Sequence, residues 1–178
     1  MPTAAEFRAA AGQFATGVAV VTTRIDGNDH AMTANSFTSV SLDPMLVLVC
    51  VDKGTRFHDA ILGAGTWVVS VLPAEAREAA VWFATKGRPL VGQLDQVDHH
   101  HRSGDGVAVL DRALAVLECT TWATYDGGDH TIVVGEVLAL SLPNPEAPAL
   151  GYFRGGYATL GEPTRVGTAR ITESKPAL

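Results

Sequence analysis

The chain has 178 residues, a formal net charge of −6 and 47% hydrophobic residues, enough for one domain that buries roughly 70% of its unfolded surface and too apolar for a disordered chain. The acidic balance argues against nucleic acid or an anionic membrane surface as the main partner. No apolar run approaches the ~18 residues that span a bilayer, and the N-terminus lacks a basic segment followed by an apolar one, so a cytoplasmic protein is expected.

In chain order, Thr3 and Glu6 have the spacing of a capping box. Phe7, Ala10, Ala11 and Phe14 follow at helical spacing, with Gly17 as the expected stop. "VAVVTTRI" is β-branched and strand-like, and "DGND" is a turn. "HAMTANSFTSVSL" reads as extended until Asp43-Pro44, and "MLVLVCV", apolar on both faces, as a central strand. "TRFHDAIL" predicts a short helix, "TWVVSVL" a strand, and "PAEAREAAVWFAT" a helix opening on proline with early acidic residues. Residues 86–107 read as a long polar loop, a length that is usually functional or mobile. "ALAVLECTTWATY" and "HTIVVGEVLALSL" are strands around a "DGGD" turn, and "LGYFRGGYATLG" is a last strand broken by glycine.

About six strands and three short helices, joined by short turns without sustained βαβ alternation, predict a mainly β, antiparallel barrel. The chain reads as a single domain over 1–178, with its core over 7–160 and a loose polar tail over 162–178. Cys50 and Cys119 sit in apolar runs and read as reduced core residues.

Four stretches carry candidate chemistry. In Met32–Ser41, hydroxyl and amide side chains fall on both faces of an extended chain, so the segment reads either as an edge strand facing water or as the wall of a groove. "CVDKGTRFHD" joins a strand end, Lys53, Arg56 and a helix start at Thr55, the ingredients of an anion site or of an ordinary solvated turn. Neither a Walker loop nor GxGxxG is present. His99, His100 and His101 are adjacent, point alternately in extended chain, and read as a solvated loop, with no metal site expected. His130, at the mouth of a strand, can donate a hydrogen bond or hold charge near neutral pH; the residues alone leave open whether it is structural.

"QFATGVAVVTT", "MTANSFTSVSLDPMLVLVCVDK", "GGDHTIVVGEV" and "YFRGGY" stand in an order and spacing that resemble the short-chain flavin reductases, the NAD(P)H:flavin oxidoreductase components of two-component monooxygenases. The resemblance covers roughly Phe7 to Leu160. It implies a six-stranded FMN-binding split β-barrel with a few short helices, a homodimer with flavin near the subunit interface, and a transient monooxygenase partner. It implies FMN or FAD and NADH or NADPH as cofactors. Thr33, Ala34, Asn35, Ser36, Ser39 and Ser41 match the segment that holds the flavin, and Cys50, Val51, Asp52, Lys53, Thr55 and Arg56 the segment around its ribityl phosphate. His130 matches the histidine beside the nicotinamide, and Tyr152, Phe153, Arg154, Gly155 and Tyr157 the terminal motif near the nicotinamide nucleotide. Two positions depart from the pattern: Leu94 replaces an expected aromatic, and Gly54 stands where small hydroxyl residues are frequent. A flavin carrier without turnover, or a split-barrel interaction partner, remains the alternative.

Overall fold

In the computed structural model, which describes residues 1–161, the elements run α1 (Ala4–Ala11), β1 (Thr16–Gly17), β2 (Ala19–Ile25), β3 (Asn28–Ala34), β4 (Thr38–Leu42), β5 (Met45–Asp52), α2 (Arg56–Ala64), β6 (Thr66–Val71), a 3₁₀ turn (Ala74–Ala76), α3 (Arg77–Ala84), β7 (His99–His101), β8 (Ala108–Leu110), β9 (Ala115–Gly127), β10 (His130–Ser141), β11 (Leu150–Phe153) and β12 (Gly156–Thr159). Seven strands form one antiparallel sheet in the order β3-β2-β6-β9-β10-β5-β4, β1 joins the β11–β12 hairpin, and β7 pairs with β8. The tail expected over 162–178 lies outside the described residues.

The strand β2 explains the core. It is buried on both faces, with Ala19 and Val21 entering one cluster with Val49, Phe57, Ile61, Trp67 and Val133, and Val20 entering another with Leu72, Ala80, Phe83 and Leu94. Its two buried hydroxyls are satisfied: Thr22 donates to Ala108 O at 2.5 Å and Thr23 to Thr66 O at 2.7 Å. The second cluster lies under α3, so that helix is clamped over β3 beside the site.

Three expectations change in detail. The α1 capping box forms, with Glu6 N donating to Thr3 Oγ1 at 3.2 Å and Thr3 N to Glu6 Oε2 at 2.7 Å. The helix nevertheless stops at Ala11, capped by Gly12 and not by Gly17. Its apolar stripe has no cover among the described residues: α1 buries no residue, and Phe7 and Phe14 are exposed. The strand β5 lies next to the edge and alternates between buried and partly exposed positions instead of being buried on both faces; Leu46 and Leu48 occupy its half-covered side. The segment Met32–Ser41 is two strands broken at Asn35–Phe37, with a register shift between Ser39 and Ser41, so one alternating parity does not run through it.

Candidate active site

The β9–β10 hairpin builds one side of the site. It reverses through Gly128-Asp129, where Gly128 takes φ +80°, a conformation that glycine supplies without a Cβ clash. Gly127 stays in the strand, where a Cβ would meet His130 O at 3.1 Å. His130 opens β10 opposite Asp52, the last residue of β5. Its Nδ1–H donates to the Asp129 carboxylate at 2.7 Å, a bond that holds the Asp129 carboxyl below its usual range. The hairpin is tied to the β5 corner by Lys53, whose backbone N–H donates to Asp129 O at 3.0 Å and whose ammonium donates to Gly128 O at 2.7 Å and pairs with Asp126. The sheet therefore brings His130 and the Cys50–Arg56 segment together, 70 and more residues apart in sequence.

Beyond that corner lies a cavity of 380 Å³ between β3, the start of α2 and the end of α3. Thr33, Thr55 and Arg56 line it, as do His30, Gly54, Phe83, Lys86 and Arg88. The start of α2 and three cationic side chains line it, a combination suited to a phosphate oxygen. Asp52 moderates this charge: Gly54 N donates to its carboxylate at 2.7 Å and Lys86 Nζ at 3.2 Å, and both keep its carboxyl well below the usual range, the Gly54 bond foremost.

The hydroxyl-rich segment divides by role. Thr33 donates to Ala80 O at 2.7 Å, which anchors β3 to α3. Ser36 accepts from Cys50 N at 3.0 Å and donates to Cys50 O at 3.3 Å, which fixes the β3–β4 break against β5. Ala34 is core, and Ser41 accepts from Asp43 N at 3.3 Å. Asn35 and Ser39 are exposed and have no side-chain hydrogen bond among the described residues, so they are the members of the segment free for a ligand. Val51 is fully buried and Cys50 half-buried; neither presents a side chain as open as these. Ser36→Ala is expected to lower the unfolding free energy by about 1–3 kcal/mol, because two backbone groups of Cys50 lose their partner. A urea midpoint equal to wild type would show that water replaces the hydroxyl at no cost.

The terminal motif lies elsewhere in the chain's own fold. Arg154 and Gly155 make the β11–β12 turn with φ of 50° and 78°. Arg154 N donates to Gly12 O and Arg154 Nε to Gln13 Oε1, both at 2.9 Å. Tyr152 and Tyr157 meet edge to face at 5.4 Å over the second core cluster. These bonds run to α1, and none reaches His130.

Sequence reading under-weighted three residues of the cavity. The polar stretch 86–93 is not loose: Arg88 donates to Thr85 O at 2.9 Å, to Gln93 Oε1 at 3.3 Å and to Ala31 O, and buried Gln93 donates to Asp29 O at 2.5 Å. A Lys-Gly-Arg cluster directly after a helix was the available signal for Lys86 and Arg88. His30 had one too, as a polar side chain inside an otherwise apolar strand.

The triple histidine forms strand β7 instead of a loop, because its pairing with β8 satisfies its backbone. His99 and His101 meet edge to face at 5.2 Å, while the three rings bond separately to Val97 O, Asp111 and Asp29, and no group of three metal-binding side chains converges among the described residues. A second cavity, 330 Å³ in volume, lies beside α3 and holds Glu75, Glu78 and Asp98 against Arg112, an acidic lining that disfavours a phosphate. No helix among the described residues is long and apolar enough to cross a membrane.

A family model described as the flavin reductase like domain matches residues 11–161. The chain belongs to this family. Among members of the flavin reductase family, an NADH-dependent FAD reductase of Streptomyces globisporus is 46% identical over 75% of the chain and 73% of the relative. The NADH-dependent FMN reductase AsuE2 of Streptomyces nodosus subsp. asukaensis is 37% identical over 91% of the chain and 88% of the relative. Among solved structures, the flavin reductase component BorF of a bacterial two-component tryptophan halogenase superposes with a TM-score of 0.84 at 40% identity, covering 90% of this chain and all (100%) of that one. The Streptomyces globisporus NADH:FAD oxidoreductase SgcE6, in complex with NAD and FAD fragments, gives a TM-score of 0.82 at 39% identity, covering 88% of this chain and 92% of that one. The mainly β, antiparallel split barrel of these flavin reductases is the fold of this chain.

Proposed function

We propose that this protein is an NAD(P)H-dependent flavin reductase that hands reduced FMN or FAD to a separate flavin-dependent monooxygenase. The observation that carries this reading is a cavity of 380 Å³ lined by three cations at the start of α2, beside Asp52, the strand partner of His130. The names of the relatives support the cofactors, and a reductase component of a 4-hydroxyphenylacetate 3-monooxygenase, 37% identical over 89% of the chain, supports the partner.

The residues fit a flavin nucleotide on three counts. At the start of α2, Arg56 and Lys86 offer donors to a phosphate and Arg88 adds positive charge. Asn35 and Ser39 offer exposed polar groups on the neighbouring β3–β4 segment for the ring's polar edge. The His30 ring lines the cavity, and its Nε2 has no hydrogen-bond partner among the described residues. Bound together, flavin and nicotinamide supply the hydride transfer themselves. The protein's part is to hold both rings in register, exclude water and place donors where charge develops. Asp129 fixes the His130 Nδ1–H, which leaves Nε2 to orient the nicotinamide or to hold a proton beside the reacting rings.

The terminal motif is assigned to the nicotinamide nucleotide, and since it does not reach His130 within one chain, a second copy is its natural supplier. Homodimerisation is supported by apolar surface without cover: Phe7 and Phe14, and Leu42, Met45, Leu138 and Leu140 around the far ends of β4, β5 and β10. Sedimentation as a monomer at micromolar concentration would rule this out. A cytoplasmic location accords with two free thiols, Cys50 and Cys119.

The deciding experiment is NADH and NADPH oxidation with and without added FMN, FAD and riboflavin. Turnover that depends on added or bound flavin is expected. A purified protein that binds flavin without oxidising either nucleotide would be a carrier, and one that binds none would leave only the fold.

A further inference from the structure

His30 stands out in the cavity wall because nothing in the protein uses it. It lies on β3 opposite Thr23 and is 9% exposed. Neither ring nitrogen has a hydrogen-bond partner among the described residues; Nδ1 is closed off from solvent, so Nε2 is the nitrogen left to a ligand in the cavity. Thr22 and Thr23 on the next strand are both satisfied, so the gap is particular to this ring. Buried polar groups without partners are rare and costly, and this one borders the cavity that also holds Arg56, Lys86 and Arg88.

The neighbouring cations are unequally committed. Arg88 is spent on Thr85, Gln93 and Ala31, and Lys86 leans on Asp52. Arg56 makes one side-chain bond, to Pro89 O at 3.2 Å. Burial first, and then the charge of Arg56, push the His30 imidazolium pKa down, with Asp29 opposing and Arg88 adding to the effect. A neutral imidazole still carries one N–H. Of the groups a flavin could place here, the phosphate is the one that accepts hydrogen bonds and is also drawn by the arginines.

We infer that His30 donates a hydrogen bond to the phosphate-bearing end of the bound flavin, and so makes the site favour phosphorylated flavins over riboflavin. This rests on the flavin reductase reading. His30 is a specificity residue and takes no part in hydride transfer. The site then holds its ligand at two places, the ring by the β3–β4 segment and the phosphate by His30, Arg56 and the start of α2.

The test is titration of the flavin-free full-length protein with riboflavin, FMN and FAD, followed by quenching of flavin fluorescence. In His30→Leu, FMN and FAD are expected to bind about 10-fold or more weakly, the size of a hydrogen bond to a charged group, while riboflavin affinity stays at the wild-type value. His30→Gln keeps a donor amide and is expected to recover most of the loss. Unchanged FMN affinity in His30→Leu overturns the inference, as does a proportional loss of riboflavin, which would make the ring a packing group. Equal losses in the Gln and Leu variants overturn it too. A wild-type protein that binds none of the three flavins fails the proposed function instead, so the two failures are distinguishable.

Discussion

Replacing His130 with alanine is expected to slow NAD(P)H oxidation by on the order of 10²–10⁴-fold, the contribution of a positioned proton or hydrogen-bond donor, while flavin affinity holds at the wild-type value. The separation follows from geometry. His130 lies across the Asp52 corner from the phosphate end of the cavity and does not line it. Its own setting does not depend on the ring: the hairpin is held by Lys53 bonds to Asp129 O, Gly128 O and Asp126, all of which survive the substitution. Removing the imidazole therefore deletes one donor and leaves its scaffold. Stopped-flow reduction of bound flavin by NADH reads the step directly. Unchanged rates would remove His130 from the reaction, and a parallel loss of flavin affinity would make it part of the flavin site.

The largest stability effect is expected at Trp67, which is 0% exposed at the centre of the main core cluster. Its indole lies against Gly135 on β10, where a Cβ would come within 2.3 Å of Cζ2. That close approach is why glycine interrupts the β-branched run "TIVVGEV". The register shift at Val134/Gly135, opposite the unpaired Trp122, makes room at the same level. The indole Nε1–H also donates to Thr121 Oγ1 at 3.2 Å. Trp67→Ala empties this notch and is expected to cost about 3–5 kcal/mol, or on the order of 10 °C in melting temperature for a domain of this size. A loss below about 1 kcal/mol would mean that the surrounding valines collapse into the space.

Local chemistry made much of this architecture readable. Thr3 and Glu6 fixed the start of α1, the cis Asp43-Pro44 corner separates β4 from β5, and "DGGD" marks the β9–β10 turn. What sequence left ambiguous depends on partners far along the chain. Ser36 and Asn35 are adjacent polar residues, yet one hydroxyl is consumed by Cys50, fourteen residues on, and the other side chain is exposed. Periodicity cannot divide them, because the division is made by strand register. "MLVLVCV" reads as doubly buried because its second face is apolar, but that face is only half covered within one chain. The same holds for Phe7 and Phe14, whose helical spacing is real and whose cover is missing. Arg88 and His30 are hard to weigh for another reason: a cation in a polar loop and a histidine in a strand acquire meaning only when α3 brings the loop over β3.

The helix α1 contributes no side chain to either core cluster, so its opening is not coupled to global unfolding. Within a single chain its anchors among the described residues are a capping box, worth about 0.5–2 kcal/mol, the Gln13 bond to Ala9 O, and the two bonds by which Arg154 grips Gly12 and Gln13. In cooperative terms the first turns of the chain form a separate, shallow folding unit whose amides exchange long before those of β2 or β6. Because its latch is Arg154, each opening of α1 is expected also to release the β11–β12 turn that carries Arg154 and Gly155.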